Sequence, residues 1–476
     1  MESRTRRAVA VAAGVLDRVG VIEEDRFRPT MGLAWPRIVT GFAIMSKQVA
    51  DLAMVGWAVG TAAVAGLAFA YAYWQVAKYL SIGLAGGTIS LVSQNYGGGA
   101  SERAELVVKQ SSVAAVAMAV PIVAAYVLFA EPLIAVFGGE AESIRHGAVY
   151  LVVVAPALLF EFQNLIASRT YAAVGDTYTP MVVRAGGGIA NIALSGAFIF
   201  GLGLGVAGAA LGTAIATAVV TVALAWGMVG RSYGGGRLAP CPVRFRFSGP
   251  YLDAELSRQL VAVSAPLMGR RLAQMAVVFP LLWIAAAFGP VVVAAFEVGR
   301  RVRDLINSFN WGLSIASSTL VGQHLGAGAE REAEGYGADI IRLTTVLYLL
   351  VGLAVIALAT PIARVFVSTP TEVDRAATFV QVAAISAVAM GVDGAATGAL
   401  RGAGDTRWPF VASLVGRYAV ALPVAALGLV TPLAVVGLYL ALFLETLVPA
   451  AINLWRFRSN RWKAVSREYR PTTDPG

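Results

Sequence analysis

Three acidic residues stand where a chain this apolar has little reason to keep a charge: Asp51 in "IMSKQVADLAMVG", Glu161 in "LLFEFQNL" and Asp393 in "AVAMGVDGAATGAL". An ionised side chain at the centre of a bilayer costs about 2.5–3.5 kcal/mol on insertion scales. A carboxylate kept at that cost either binds and releases a cation or proton, or is locked in a static ion pair that docks helices. Lys47 stands four residues before Asp51, so the two share a helix face and can pair. If they pair permanently, Asp51 is structural and Asp393 becomes the better carrier of coupling. Glu161 fits mid-span or a cavity wall equally well. A denser group of charges lies in "FEVGRRVRDLINSFNWG", which holds Glu297, Arg300, Arg301, Arg303 and Asp304. Glu297 with Arg301, and Arg300 with Asp304, are spaced i, i+4, so they can neutralise each other on a helix that lines a water-filled cavity or docks on a neighbour.

Other chemistries fail. The single cysteine, Cys241, excludes an intrachain disulfide and a cysteine metal cluster. His146 and His324 lie far apart and read as loop histidines, not as a metal site. The chain has no Gly-Lys dipeptide, hence no Walker-type phosphate loop. "GLGVAG" (Gly203–Gly208) matches a dinucleotide fingerprint in letters but lies in an apolar segment without strand–helix–strand context. Gly208, Gly212 and Ala216 instead form a small-residue stripe at four-residue spacing, which lets helices approach closely. With no nucleophile–base pair visible, the chain reads as neither an enzyme nor a cofactor protein.

The elements that position these residues are membrane helices. The chain is 58% hydrophobic and 14% charged, with mean hydropathy +0.71, whereas soluble domains are about 45–50% apolar and about 25% charged. Twelve stretches reach the ~20 apolar residues that a span needs: roughly 35–58, 61–92, 107–130, 147–173, 180–201, 205–229, 261–288, 291–321, 338–361, 374–400, 408–430 and 432–455. Ala8–Leu16 follows three arginines and reads as a short cytoplasmic or interfacial helix, not a signal peptide. The expected organisation is a cytoplasmic segment 1–30, a six-helix lobe 31–229, a Gly-, Pro- and Arg-rich linker 230–260, a second six-helix lobe 261–455 and a tail 456–476. With both termini inside, cytoplasmic segments hold 27 of the 37 Lys and Arg residues and outer loops hold three. That asymmetry sets the orientation in the cell membrane, so the net charge of +9 is not read as nucleic-acid binding. Cys241 then offers a cytoplasmic thiol for labelling.

The two halves repeat. At an offset of 229 residues, the interval between Asp176 and Asp405, "GDTYTP" falls on "GDTRWP", and Gln94 falls on Gln323. Pro36 falls within one residue of Pro266. In each copy Gly permits a tight turn, Asp can cap the next helix, and Pro suits its first turn. These two aspartates read as structural. The fold class is therefore all-α integral membrane, with twelve helices in two pseudo-symmetric six-helix lobes.

In order, "VADLAMVGWAVG", "GTISLVSQNYGGG", "GDTYTP", "STLVGQHLGAG" and "ALRGAGDTRWP" resemble the multidrug and toxic compound extrusion (MATE) transporters over residues 31–455. The resemblance implies two lobes around a central cavity and export of amphipathic, often cationic, organic compounds in exchange for Na⁺ or H⁺, by a monomer in the bilayer. It maps the family's first-span acid onto Asp51. Its fifth-span N-x-x-x-D falls on Asn191, with Ser195 where relatives have the acid. Further matches are a fourth-span Asn at Asn164, a sixth-span Thr at Thr213, a seventh-span acid position at Gln274 and a tenth-span acid at Asp393, which falls opposite Asn164 in the repeat. Asp51 and Asn191 mark where Na⁺ would bind, and the missing second acid favours H⁺. Two rivals remain: an exporter of lipid-linked or polysaccharide precursors, and a membrane scaffold or receptor that transports nothing.

Overall fold

The computed structural model describes residues 10–471 apart from 12, 139, 234–237 and 368. Among these residues the regular structure is helical and includes no strand. This is what a bilayer demands, because each backbone N–H and C=O in hydrocarbon must find its partner within its own segment. The helices are α1 Glu24–Ala58, α2 Thr61–Gly97, α3 Ser101–Leu128, the short α4 Ala130–Ala135, α5 Ala141–Val154, α6 Ala157–Ala173, α7 Tyr178–Gly196 and α8 Gly205–Met228. They continue as α9 Ala254–Ala276, α10 Val278–Ala287, α11 Pro290–Gly326, α12 Glu330–Ala357, α13 Ala359–Phe366, α14 Pro370–Gly402, α15 Arg407–Leu414, α16 Leu422–Val430, α17 Val436–Arg458 and α18 Arg461–Tyr469. Two stretches are π-helical: Ala197–Gly201 after α7 and Val415–Ala421 between α15 and α16.

All twelve expected spans fall on these helices. Ten helical segments are long and apolar enough to cross a membrane, and the α5–α6 pair, bent by 55°, makes an eleventh. That bend falls at Pro156, which has no N–H to give the ladder. The twelfth segment, α11, is 37 residues long but less apolar. Charges crowd its first half, and Asn310, Ser314, Ser317 and Ser318 follow in its second.

The chain divides into two compact units. The N-terminal unit comprises Pro36–Tyr96 and Ala100–Met268; the C-terminal unit comprises Met1–Trp35, Gly97–Gly99 and Gly269–Gly476. The stretch Ala8–Leu16 lies partly outside the described residues. Residues 13–18 are helical, and Ala13, Val21 and Ile22 belong to the same protein core as Leu325, Tyr336 and Trp462.

The linker is strapped to the N-terminal unit. Lys109 Nζ donates to Ser248 O (2.7 Å), Gln110 Nε2 donates to Asp253 O (2.8 Å), and Cys241 N donates to Gly227 O (3.0 Å). Cys241 is thereby 1% exposed, so the expected labelling handle is buried. The histidines lie on helices, not loops: His146 on α5, 3.6 Å from Glu142, and His324 in the last turn of α11, its ring tilted against Tyr336.

The repeated turn has the expected backbone. Gly175 and Gly404 take φ of +97° and +81°, which a side chain resists. Asp176 Oδ1 accepts from Thr179 N at 2.9 Å, capping the start of α7. Asp405, in the second copy, accepts from Arg456 Nε at 2.6 Å instead.

Candidate functional site

Asp51 lies two turns from the end of α1 and is 1% exposed. Two helices of the N-terminal unit put polar atoms around it. Asn191 and Ser195 are one turn apart on α7, and Thr213 lies on α8. They meet because α7 and α8 pack closely: a Cβ on Gly212 would collide with Ser195. Thr213 Oγ1 donates to Asp51 Oδ2 at 3.4 Å. The Asn191 amide fits its site in either of two orientations. One donates from Nδ2 to Thr213 Oγ1 at 3.0 Å and turns its oxygen towards the carboxylate. The other satisfies both ends: Nδ2 donates to Asp51 Oδ1 at 3.2 Å, and Oδ1 accepts from Thr213 N and Oγ1, each at 3.0 Å. Ser195 Oγ is buried beside this group, near enough to act on the Asp51 carboxylate. Tyr71 and Tyr150, packed edge to face at 5.5 Å, lie within electrostatic reach of Asp51, and sequence reasoning missed both.

Lys47 forms no ion pair with Asp51 among the described residues. It lines a cavity of about 80 Å³ with Lys78, Glu161, Arg184, Gln48 and Asn164. Glu161 is buried there and accepts from Arg184 Nη2 at 3.1 Å. Asn164 donates to Thr217 O (3.3 Å) and accepts from Thr221 Oγ1 (2.9 Å), so its bonds lie one and two turns along α8 from Thr213. Of the expected neighbours of Asp51, then, Asn191, Ser195 and Thr213 gather on it, whereas Asn164 and Lys47 belong to the cavity.

In the C-terminal unit, Asp393 accepts from Arg270 Nη2 at 2.5 Å and from Asn453 Nδ2 at 2.7 Å, with Thr397 Oγ1 at 3.4 Å. Gln274 accepts from Arg271 at 3.1 Å. The i, i+4 pairs expected on α11 do not form. Glu297 pairs with Arg300 at 3.3 Å, and Arg303 reaches across to the buried Glu445 on α17. Arg301 and Asp304 are exposed. A carboxylate on a neighbouring helix thus takes the arginine that local spacing had left out. The signal missed in the sequence was the set of cations inside spans, Lys78, Arg184, Arg270 and Arg303, together with Glu445.

Comparison with known proteins agrees with this architecture. The sequence model of the MatE family matches residues 36–195 and again residues 266–427, one match in each half of the repeat. The chain is similar to a probable multidrug resistance protein NorM of Rhodopseudomonas palustris, 27% identical with 90% of each chain covered. It is also similar to an FAD transporter of Shewanella oneidensis, 22% identical over 74% of this chain and 77% of that one. Its fold matches a crystal structure of a MATE protein in the bent conformation, with a TM-score of 0.84 at 20% identity over 94% and 97% of the two chains. The relatives are transporters of small molecules embedded in membranes, not enzymes. With two matches that together cover most of the chain, and with the helical architecture above, this multi-pass membrane protein belongs to the MatE family of transporters.

Proposed function

We propose that the chain is a secondary active exporter of amphipathic organic compounds, an antiporter that runs on H⁺ or Na⁺ taken up at Asp51. The observation that carries this reading is a buried carboxylate held by neutral hydrogen-bond partners and, among the described residues, by no ion pair. Where the Asn191 oxygen faces Asp51, two acceptors meet and a proton on the carboxylate supplies the missing donor; where the carboxylate is ionised, the amide nitrogen donates to it instead. Asn191, in its satisfied orientation, turns nitrogen and not oxygen to Asp51, which suits a proton better than Na⁺, a cation that needs oxygen ligands. The NorM relatives' name supports a multidrug range. We place the protein in the cell membrane as a monomer, built as two six-helix lobes with both termini and the linker in the cytoplasm, on the positive-inside count. The test is efflux of a dye from proteoliposomes under separately imposed pH and Na⁺ gradients. A pH gradient alone should drive it; efflux that ignores both gradients overturns the reading.

A further inference from the structure

The cavity behind the Asp51 cluster has too few negative charges. Its wall carries Lys47, Lys78 and Arg184 against the single carboxylate of Glu161. Arg37 stands within electrostatic range of the same group, which adds to the imbalance. Glu161 spends its charge on Arg184 Nη2. Arg184 Nη1 is buried without a hydrogen-bond partner, on a side chain only 9% exposed. Among the described residues Lys47 and Lys78 make neither an ion pair nor a hydrogen bond. Each cation in this setting carries the insertion cost named above, and three of them clustered also repel one another. Helix docking would need only the Glu161–Arg184 pair, so it leaves Lys78 unexplained and Lys47 with only the through-space charge of Asp51 and Glu161.

We propose that this cavity binds the oxyanion head, a carboxylate, sulfonate or phosphate, of an amphipathic organic anion. The proposal rests on the exporter reading and names the substrate class for it, opposite in charge to the cations the family resemblance implied. A guanidinium with a free Nη and two ammonium groups supply charge-assisted donors. Gln48 and Asn164 add neutral polar atoms, and Trp74 and Val220 give an apolar wall for the rest of the ligand. The cavity holds one compact head group, so the apolar body stays outside it. The head group can belong to a free solute or to an anionic lipid.

Fluorescein and rhodamine 6G share a xanthene skeleton and differ in charge, so they make a matched pair of probes. Their binding to the purified full chain in neutral detergent is read by fluorescence anisotropy. Fluorescein should bind more tightly than rhodamine 6G. Lys78→Gln and Lys47→Gln should each weaken fluorescein binding about tenfold or more, the effect of one charge-assisted hydrogen bond. Neither lysine makes an ion pair or hydrogen bond among the described residues, so these variants break none, and size-exclusion profiles verify their folding. Displacement of fluorescein by phosphatidylglycerol in mixed micelles identifies the head group as a lipid's; retention identifies it as a free solute's. Tighter binding of rhodamine 6G, or fluorescein binding unchanged in both variants, overturns the proposal. Lysine-dependent binding of fluorescein with no movement of either dye under any gradient keeps the anion site and removes the exporter reading instead.

Discussion

Arg270 closes on Asp393 at 2.5 Å, with both side chains about nine-tenths buried. Breaking such a pair from one side leaves an uncompensated charge, at a cost of about 3–5 kcal/mol. Asp393→Asn should therefore lower the thermal unfolding midpoint markedly. The double variant Arg270→Met with Asp393→Leu should recover most of the loss. If that stable double variant is inactive in export, Asp393 does more than hold helices.

Asp51→Asn removes the charge at nearly constant shape and keeps an oxygen for Thr213. Its expression and unfolding midpoint should stay close to wild type, while efflux falls to the protein-free background under both gradients. Export at the wild-type rate would show that coupling runs elsewhere.

Burial pushes the Cys241 thiol up to about 12. At pH 8 that lies some four units below its titration point, leaving on the order of one thiolate in 10⁴. A maleimide should leave the native protein unlabelled and react only after unfolding. Topology is better read with Ser248→Cys in a Cys241→Ala background, since position 248 is exposed on the linker. It should label from the cytoplasmic side only; labelling of intact cells by an impermeant reagent would reverse the orientation.

The two Gly-Asp-Thr turns should tolerate the same substitution unequally. Asp176→Ala loses a cap to Thr179 N, worth about 0.5–2 kcal/mol. Asp405→Ala strands Arg456, a buried cation that also packs over Trp408 at 5.3 Å, and should cost about 3–5 kcal/mol. Thermal melts of the two variants side by side decide the order.

What the sequence disclosed depended on the range of the interaction. Hydrophobic length located the twelve segments, because each span is decided by its own residues. The Gly-Asp-Thr turns were legible for the same reason, since a positive φ is a local demand, but the expected cap forms only at Asp176, because Arg456 takes Asp405 from a distant helix. Asn191, Ser195 and Thr213 were found through family resemblance, not through spacing, since α7 and α8 meet only in three dimensions. The partners of the carboxylates were not legible. Lys47 sits one turn from Asp51 yet faces the cavity, while Glu161 takes Arg184 and Glu445 takes Arg303, each from another helix. Periodicity says which residues share a face and nothing about which face it meets. The cations inside spans carried the clue, because each one needs a partner or a ligand, and counting them only for topology hid it.

The π-helical stretches Ala197–Gly201 and Val415–Ala421 have a mechanical consequence. Each is a dislocation in an otherwise regular lattice of hydrogen bonds, one residue too many for the turn it occupies. A dislocation moves by trading one bond for the next, so it can glide along the helix without melting it, and each residue it passes rotates by about 100°. The first begins two residues after Ser195 and the second contains Arg417, a buried arginine whose Nη1 donates to Ser413 Oγ at 2.6 Å. Gliding would swing these polar groups to a new bearing in a single step, so the amides of both stretches should exchange hydrogen faster than those of the α-helical turns beside them.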